Sequence, residues 1–178
     1  MFKKLLLVLG LIALTAFQAN AQGLYLGPQG GYYKTQDADE GALLGGAALR
    51  LKLGALGIEG SINYRQEKYA NGWVTAKGWP IMATGLLYPL PILYAAVGFG
   101  WYNVTLDYDQ NKLPSIQDQT MQEVGWHFGG GVELPLGVIK LTGDVRYVFL
   151  DYEFKEWPGS KELKSNFMVF TAGLLFKL

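Results

Sequence analysis

Two apolar patterns divide the chain. Residues 5–17, "LLLVLGLIALTAF", form one continuous apolar run, whereas from Leu24 to Leu178 apolar and polar residues alternate in successive segments. Alternation places successive side chains on opposite faces of a strand. No sustained 3.6-residue period bounded by helix caps follows Leu24. The predicted strands are Leu24–Lys34, Ala42–Leu53, Gly57–Arg65, Val74–Leu87, Leu93–Leu106, Gln122–Leu134, Val138–Leu150 and Asn166–Leu178. The number is even, and most reach the ~9 to 11 residues that a tilted membrane-spanning strand requires. The fold expected is all-β.

Each strand has a polar and an apolar face. In the second, Leu43, Ala47, Leu49, Leu51 and Leu53 oppose Arg50 and Lys52. In the third, Ile58, Ile62 and Tyr64 oppose Glu59, Ser61, Asn63 and Arg65, and in the seventh, Ile139, Leu141, Val145, Tyr147 and Phe149 oppose Lys140, Thr142, Asp144 and Arg146. The fourth is ambiguous, because Trp79, Ile81, Met82 and Leu86 populate both faces.

The connections alternate as well. After strands one, three, five and seven they are polar: "TQDADEG", "QEKYANG", "DYDQNKLPSIQDQT" and "DYEFKEWPGSKELKS". After strands two, four and six they are short and largely apolar: "GAL", "YPLPI" and "PLG". One end of an up-and-down barrel would then carry long solvated loops and the other tight turns, the asymmetry of outer-membrane barrels.

Alternation alone leaves open which face is inside, since a soluble periplasmic ligand-binding barrel has an apolar lumen. The last strand favours a membrane. Met168, Phe170, Ala172, Leu174, Phe176 and Leu178 make one apolar row, which resembles the terminal signal by which outer-membrane barrels are recognised by the barrel-assembly machinery. The candidate assembly residues are Phe170, Leu174, Phe176 and Leu178. Tyr25, Tyr64, Tyr88, Trp101 and Tyr147, near strand ends, suit interfacial girdles.

Charge agrees. Twelve acids and six lysines fall in the loops, a net of −6, whereas strands hold seven basic residues against three acidic ones, a net of +4. A charge facing lipid would cost about 2 to 4 kcal/mol near the midplane, so the strand charges are assigned to the lumen. The predicted network comprises Arg50, Lys52, Glu59, Arg65, Lys77, His127, Glu133, Lys140, Asp144 and Arg146, with an excess of cations left for water, backbone carbonyls or anions to satisfy.

The N-terminus fits export. "MFKK" supplies a positive start and "ANA" small residues at a cleavage position, so residues 1–21 read as a signal peptide and 22–178 as one barrel domain. The apolar run is too short for the ~20 residues of a membrane helix. There are no cysteines, which excludes disulfides, thiolate metal sites and lipid attachment at cysteine. Without Lys3 and Lys4, thirteen basic residues face fifteen acidic ones, a balance that argues against nucleic-acid binding.

With "YAAVGFGWYNV" (Tyr94 to Val104), "GWHFGGGVELPLG" (Gly125 to Gly137) and "LTGDVRYVFLDY" (Leu141 to Tyr152), the chain resembles the small outer-membrane β-barrel family of outer-membrane proteins A and X. The resemblance covers essentially all of residues 22–178. It implies an eight-stranded antiparallel up-and-down transmembrane barrel in the Gram-negative outer membrane, with a packed polar lumen and four exposed loops. The partners it implies are outer-membrane lipid and lipopolysaccharide, with an extracellular ligand as a loop-borne option. Roles in the family range from membrane integrity to adhesion. The chain ends at the barrel's last strand, so a following peptidoglycan-binding domain is not expected. Eight strands leave a lumen that side chains can fill, unlike the ~16 strands of a general porin.

Three chemical alternatives compete with this picture. Lipid A deacylases resemble the chain in carrying a histidine on a barrel strand, but they place serine two residues on, where this sequence has Gly129, and a triad needs nucleophile and base within reach. The bland reading of His127 is a residue bonded to a neighbouring carboxylate or tyrosine. "DYDQNKLPSIQD" places Asp107, Asp109, Asn111 and Asp118 at calcium-loop positions, yet Lys112 replaces the turn glycine and Asp118 the bidentate glutamate. A narrow pore would depend on Arg50 and Arg146. No cofactor is expected. The loop aromatics Tyr69, Trp73, Tyr108, Tyr152 and Trp157 suit either an adhesive patch or the outer girdle.

Overall fold

Period-two alternation is realised as strands throughout the computed structural model, which describes residues 23–35, 41–69, 74–108, 119–152, 163–164 and 166–178. The strands are β1 (Gly23–Thr35), β2 (Ala42–Leu53), β3 (Leu56–Tyr69), β4 (Val74–Leu90), β5 (Leu93–Tyr108), β6 (Gln119–Leu136), β7 (Ile139–Phe149), β8 (Asp151–Tyr152), β9 (Leu163–Lys164) and β10 (Phe167–Lys177). Eight of them close into an antiparallel barrel in the order β1-β10-β7-β6-β5-β4-β3-β2, while β8 and β9 pair separately. The first long strand meets the last, as in Tyr32 opposite Phe170. No edge strand is left around the barrel wall.

Tight turns join β2 to β3 and β6 to β7. Gly54 and Gly137 adopt φ of 66° and 69°, a left-handed backbone that glycine enters without steric penalty. Prolines mark the interruptions of the ladder, because they lack the N–H it needs. Pro28 falls in the gap between the Leu26↔Phe176 and Gln29↔Gly173 pairs, and Pro80 in that between Ile62↔Ile81 and Arg65↔Gly78. Pro89 sits at the register shift between Leu87 and Leu90.

The predicted strands are all present, but five run further than the alternation suggested, β1 by a single residue at each end. Past Arg65, β3 continues to Tyr69 through pairs such as Gln66↔Lys77, and β4 and β5 pair as far as Val74↔Tyr108. Backbone pairing needs no apolar side chain, so the ladder outlasts the alternation. β6 begins at Gln119, yet its pairing with β7 starts only at Trp126↔Phe149. The sheet β3–β6 therefore rises beyond β7 at the loop end, and among the described residues positions 119–125 of β6 have no ladder partner on the β7 side.

Large apolar residues face outward all round. Leu49, Ile62, Ile81, Val97, Trp126, Phe128, Leu141, Phe170 and Leu174 are exposed. The ambiguity of β4 is resolved: Trp79 and Ile81 point out, Met82 and Leu86 in. Tyr25 and Tyr88, expected in interfacial girdles, instead turn into the lumen and are buried. Their ring faces serve lysines there, as described below, and a polar tip needs a partner once buried.

The interior is layered along the axis. At the loop end an apolar cluster contains Tyr33, Met82, Tyr102, Val148, Leu150, Phe167 and Val169. At the turn end lie Leu86, Tyr88, Tyr94 and Ala96, with Tyr25, Ala48 and Leu175 beside them. The charges interleave with these turn-end groups, Lys52 and Lys140 lying against the Tyr88 and Tyr25 rings.

Candidate functional site in the lumen

Arg50 and Lys52 share the inward parity of β2, so both reach the axis from one wall. Arg50 donates from Nε and Nη2 to Glu59 Oε2, the Nε distance being 2.8 Å, and from Nη1 to Glu133 Oε2 at 2.9 Å. Lys52 and Lys140 donate to Glu133 Oε1 at 2.9 and 2.7 Å. Tyr88 donates its hydroxyl to Glu133 Oε2 at 2.8 Å. One carboxylate thus gathers four donors from β2, β4 and β7.

A second node lies toward the loop end. Arg146 donates from Nη2 to Glu59 Oε1 at 2.7 Å and from Nε to Asp144 Oδ1 at 3.0 Å. Asp144 also accepts from Tyr94 and Thr171, both at 2.9 Å. Stacking adds to both nodes: the Arg50 guanidinium lies 4.7 Å from the Tyr94 ring centre, Lys52 lies 3.7 Å from Tyr88, and Lys140 3.8 Å from Tyr25. Such cation–π contacts strengthen when desolvated.

The network is deeply buried. Arg50, Glu59, Glu133 and His127 are each about 1% exposed. Ions this deep are tolerable only when opposite charges and hydrogen bonds occupy nearly every lone pair and proton, which the shared oxygens of Glu133 and Glu59 achieve. Only one cation of the expected surplus arises here. Three carboxylates serve four buried cations, because each carboxylate uses both oxygens.

The surplus is accommodated elsewhere. Arg65 faces inward but lies over aromatic rings, 4.5 Å from the centre of Tyr33 and 5.1 Å from that of Phe167. Lys77 corrects the sequence reading: it lies on the outward face of β4 with Trp79 and Ile81, and pairs with Asp107 on β5 at 2.5 Å. Both partners are half-exposed near the loop end, where a charge on the outer face can still reach water. Asp107, the first of the calcium-loop candidates, is thereby engaged, and Asp109, Asn111 and Asp118 lie outside the described residues. So do the loop aromatics Trp73 and Trp157.

His127 also differs from expectation. Its partner is neither a carboxylate nor a tyrosine but Thr84, whose Oγ1 lies 2.9 Å from Nε2. Arg146 Nη1 donates to the same Thr84 oxygen at 3.1 Å. A guanidinium can only donate, so Arg146 takes one lone pair of the threonine oxygen and leaves the hydroxyl proton and the second lone pair to meet His127 Nε2 in either tautomer. The tertiary fold has brought a hydroxyl to the histidine after all, from β4 rather than from position 129. Yet Thr84 is buried as deeply as His127, and among the described residues Nδ1 has no hydrogen-bond partner to orient it. A nucleophile–base pair needs both access and an orienting partner.

Gly129 has its own reason. A Cβ built there would sit 2.0 Å from the carbonyl oxygen of Val145, so β6 and β7 approach too closely for any side chain. Gly98 is similar, with Ala83 O at 2.1 Å and His127 Nε2 at 2.7 Å from such a Cβ. The triple-glycine stretch packs strands and makes no loop.

Sequence reading missed Thr84, Tyr88, Tyr94 and Thr171 as network members, and the Gln29–Asn63 bond of 2.7 Å that bridges β1 and β3 over Gly46 of β2. Parity was the available signal: each shares the inward face of its strand. Hydroxyls do not announce themselves as charges do.

Comparison with known proteins agrees with this geometry. A family model described as "Outer membrane protein beta-barrel domain" matches residues 5–176. Among solved structures, neisserial surface protein A (Neisseria) aligns with a TM-score of 0.65 at 13% identity, covering 90% of this chain and 100% of that one. A major outer membrane protein from Thermus thermophilus gives 0.58 at 12%, covering 87% and 99%. Ail, the attachment invasion locus protein of Yersinia pestis, gives 0.55 at 13%, covering 89% and 100%. At these identities the likeness is one of fold. No curated protein matches the chain.

Proposed function

We propose, from the premise that this chain belongs to the outer-membrane β-barrel family, that it is a non-enzymatic barrel with a plugged lumen, serving envelope integrity and surface interaction. The observation that carries the plug is the pair of bonds Arg146–Glu59 and Arg50–Glu133, which join strands four places apart in the ring of eight. Each therefore crosses the full diameter. Small barrels of this size have room only for side chains, and here four buried cations are each paired with one or more of three carboxylates.

The outward apolar surface is the lipid face. Phe170, Leu174, Phe176 and Leu178 are all exposed on it, which supports their reading as the row by which the assembly machinery recognises the last strand. For surface interaction, the rising sheet β3–β6 is the supporting feature. Its stretch on β6 runs past the loop-end limit of the β6–β7 ladder at Trp126↔Phe149, and so extends the rim available for contact. Export by residues 1–21 belongs to the same reading.

The test is reconstitution. The full chain is expected to need detergent or lipid, to migrate differently on gels before and after boiling, and to leave planar bilayers electrically silent. A chain that stays monomeric in buffer alone would favour a soluble ligand-binding barrel. Steady unit conductance would replace the plug with a narrow pore.

A further inference from the structure

A groove of about 320 Å³ opens on the lipid-facing side of the barrel near the loop end, where β1, β10 and β7 meet. Tyr32 and Tyr147 form its walls, Met168 and Phe170 its floor, and Lys34 and Asn166 stand at its loop-end rim. Its size is at the lower end of the ~300 to 1,000 Å³ typical of small-molecule sites.

The groove is preformed. The Tyr32 hydroxyl accepts the Gly41 backbone N–H at 3.0 Å, which fixes one wall. Tyr147 packs edge-on against Phe149 with ring centres 4.9 Å apart, which fixes the other. Beneath the floor, Phe167 meets Tyr33 edge-on at 6.0 Å and is covered by Arg65 on the lumen side. Walls held from behind cannot relax to fill the recess.

The lining is almost wholly apolar, and among the residues that form it Lys34, on β1 two residues toward the loop end from Tyr32, is the one that carries a charge. That polarity matches a molecule with a hydrocarbon chain and an anionic head, the chain pointing toward the midplane. Tyrosines at the same level suit the headgroup boundary, where an amphipathic ring keeps its body in hydrocarbon and its tip in a polar layer. We propose that this groove seats one acyl chain of a lipopolysaccharide molecule, with a phosphate of its lipid A at Lys34. The inference rests on the outer-membrane reading and adds to it a defined lipid site.

The experiment uses the full chain in mixed micelles with rough lipopolysaccharide or phosphatidylglycerol, read by native mass spectrometry. Wild type is expected to retain one lipopolysaccharide. Lys34→Glu is expected to weaken retention at least about five-fold, the scale of one lysine–lipid charge contact. Met168→Trp, which fills the floor with a larger apolar group, is expected to do the same, and Leu49→Trp on another part of the outer face to change nothing. Equal retention by all four proteins overturns the site. So does equal retention of phosphatidylglycerol with the same mutational pattern, which would make the groove a general anionic-lipid contact, and so does a dimer lost in Met168→Trp, which would make it a subunit interface. Migration of each variant on unboiled gels reports folding independently. A wild-type chain that is soluble without detergent would overturn the membrane reading itself, whatever it binds.

Discussion

Arg146 on β7 and Glu59 on β3 meet at 2.7 Å across the whole width of the barrel. The two strands are four apart in the closed order, so this single bond braces opposite walls. Glu59 is shared with Arg50, whose other nitrogen reaches Glu133. The two nodes are therefore one connected structure, and removing Glu59 or Glu133 takes a partner from more than one buried cation.

Glu133→Ala is the sharpest test of that connection. It strips Arg50, Lys52 and Lys140 of a shared carboxylate, and breaking a buried pair from one side costs about 3 to 5 kcal/mol. Urea unfolding in lipid vesicles is expected to show a loss of that order. Lys77→Ala, which removes a half-exposed pair, is expected to cost no more than about 1 kcal/mol.

Conductance follows from the same braces. Wild type is expected to be silent in planar bilayers, whereas Glu59→Ala combined with Arg146→Ala removes one diametric bond and both of its charges. That double variant is expected to show small openings that favour anions, because Arg50, Lys52 and Lys140 then face only Glu133 and Asp144. Silence from it would mean that the apolar cluster around Tyr33, Tyr102 and Phe167 closes the lumen by itself.

Glycine substitutions separate close approach from mere flexibility. Gly129→Ala forces a Cβ to within 2.0 Å of Val145 O and is expected to reduce the folded fraction on unboiled gels severely. Gly60→Ala meets nothing within 4 Å and is expected to stay within about 0.5 kcal/mol of wild type, as surface changes usually do.

Val97 reports on what the outer face touches. It is 63% exposed on the bare barrel, and Val97→Arg is expected to destabilise the protein in vesicles by about 2 to 4 kcal/mol if that face is in lipid near the midplane. A cost below half of that would place Val97 in water or at the interface.

Thr84 and His127 invite one chemical control. Overexpression of wild type is expected to leave the lipid A mass spectrum unchanged, and His127→Ala to leave it equally unchanged. A shift in acylation that Thr84→Ala abolishes would turn the buried pair into a catalytic one and reverse the proposed function.

Much of this protein is decided locally, by parity. Alternation along each strand determines that Leu49 and Arg50, or Trp126 and His127, part company across the wall, because a strand has a period of two wherever it is placed. The number of long strands, the short turns at Gly54 and Gly137 and the lumenal charges of β2, β3, β6 and β7 are legible for the same reason. Residue type misleads where it overrides parity: charge alone puts Lys77 in the lumen, and ring type alone puts Tyr25 and Tyr88 at the interface, whereas the strands turn each of them the other way. What the sequence could not contain is distance across the ring. The choice of Glu133 as the shared acceptor, of Thr84 as the partner of His127, and of Val145 as the reason for Gly129 depends on which strands face or flank one another at a given height. That relation is set by closure and register, in which residues more than 80 positions apart, such as Arg50 and Glu133, come within 2.9 Å.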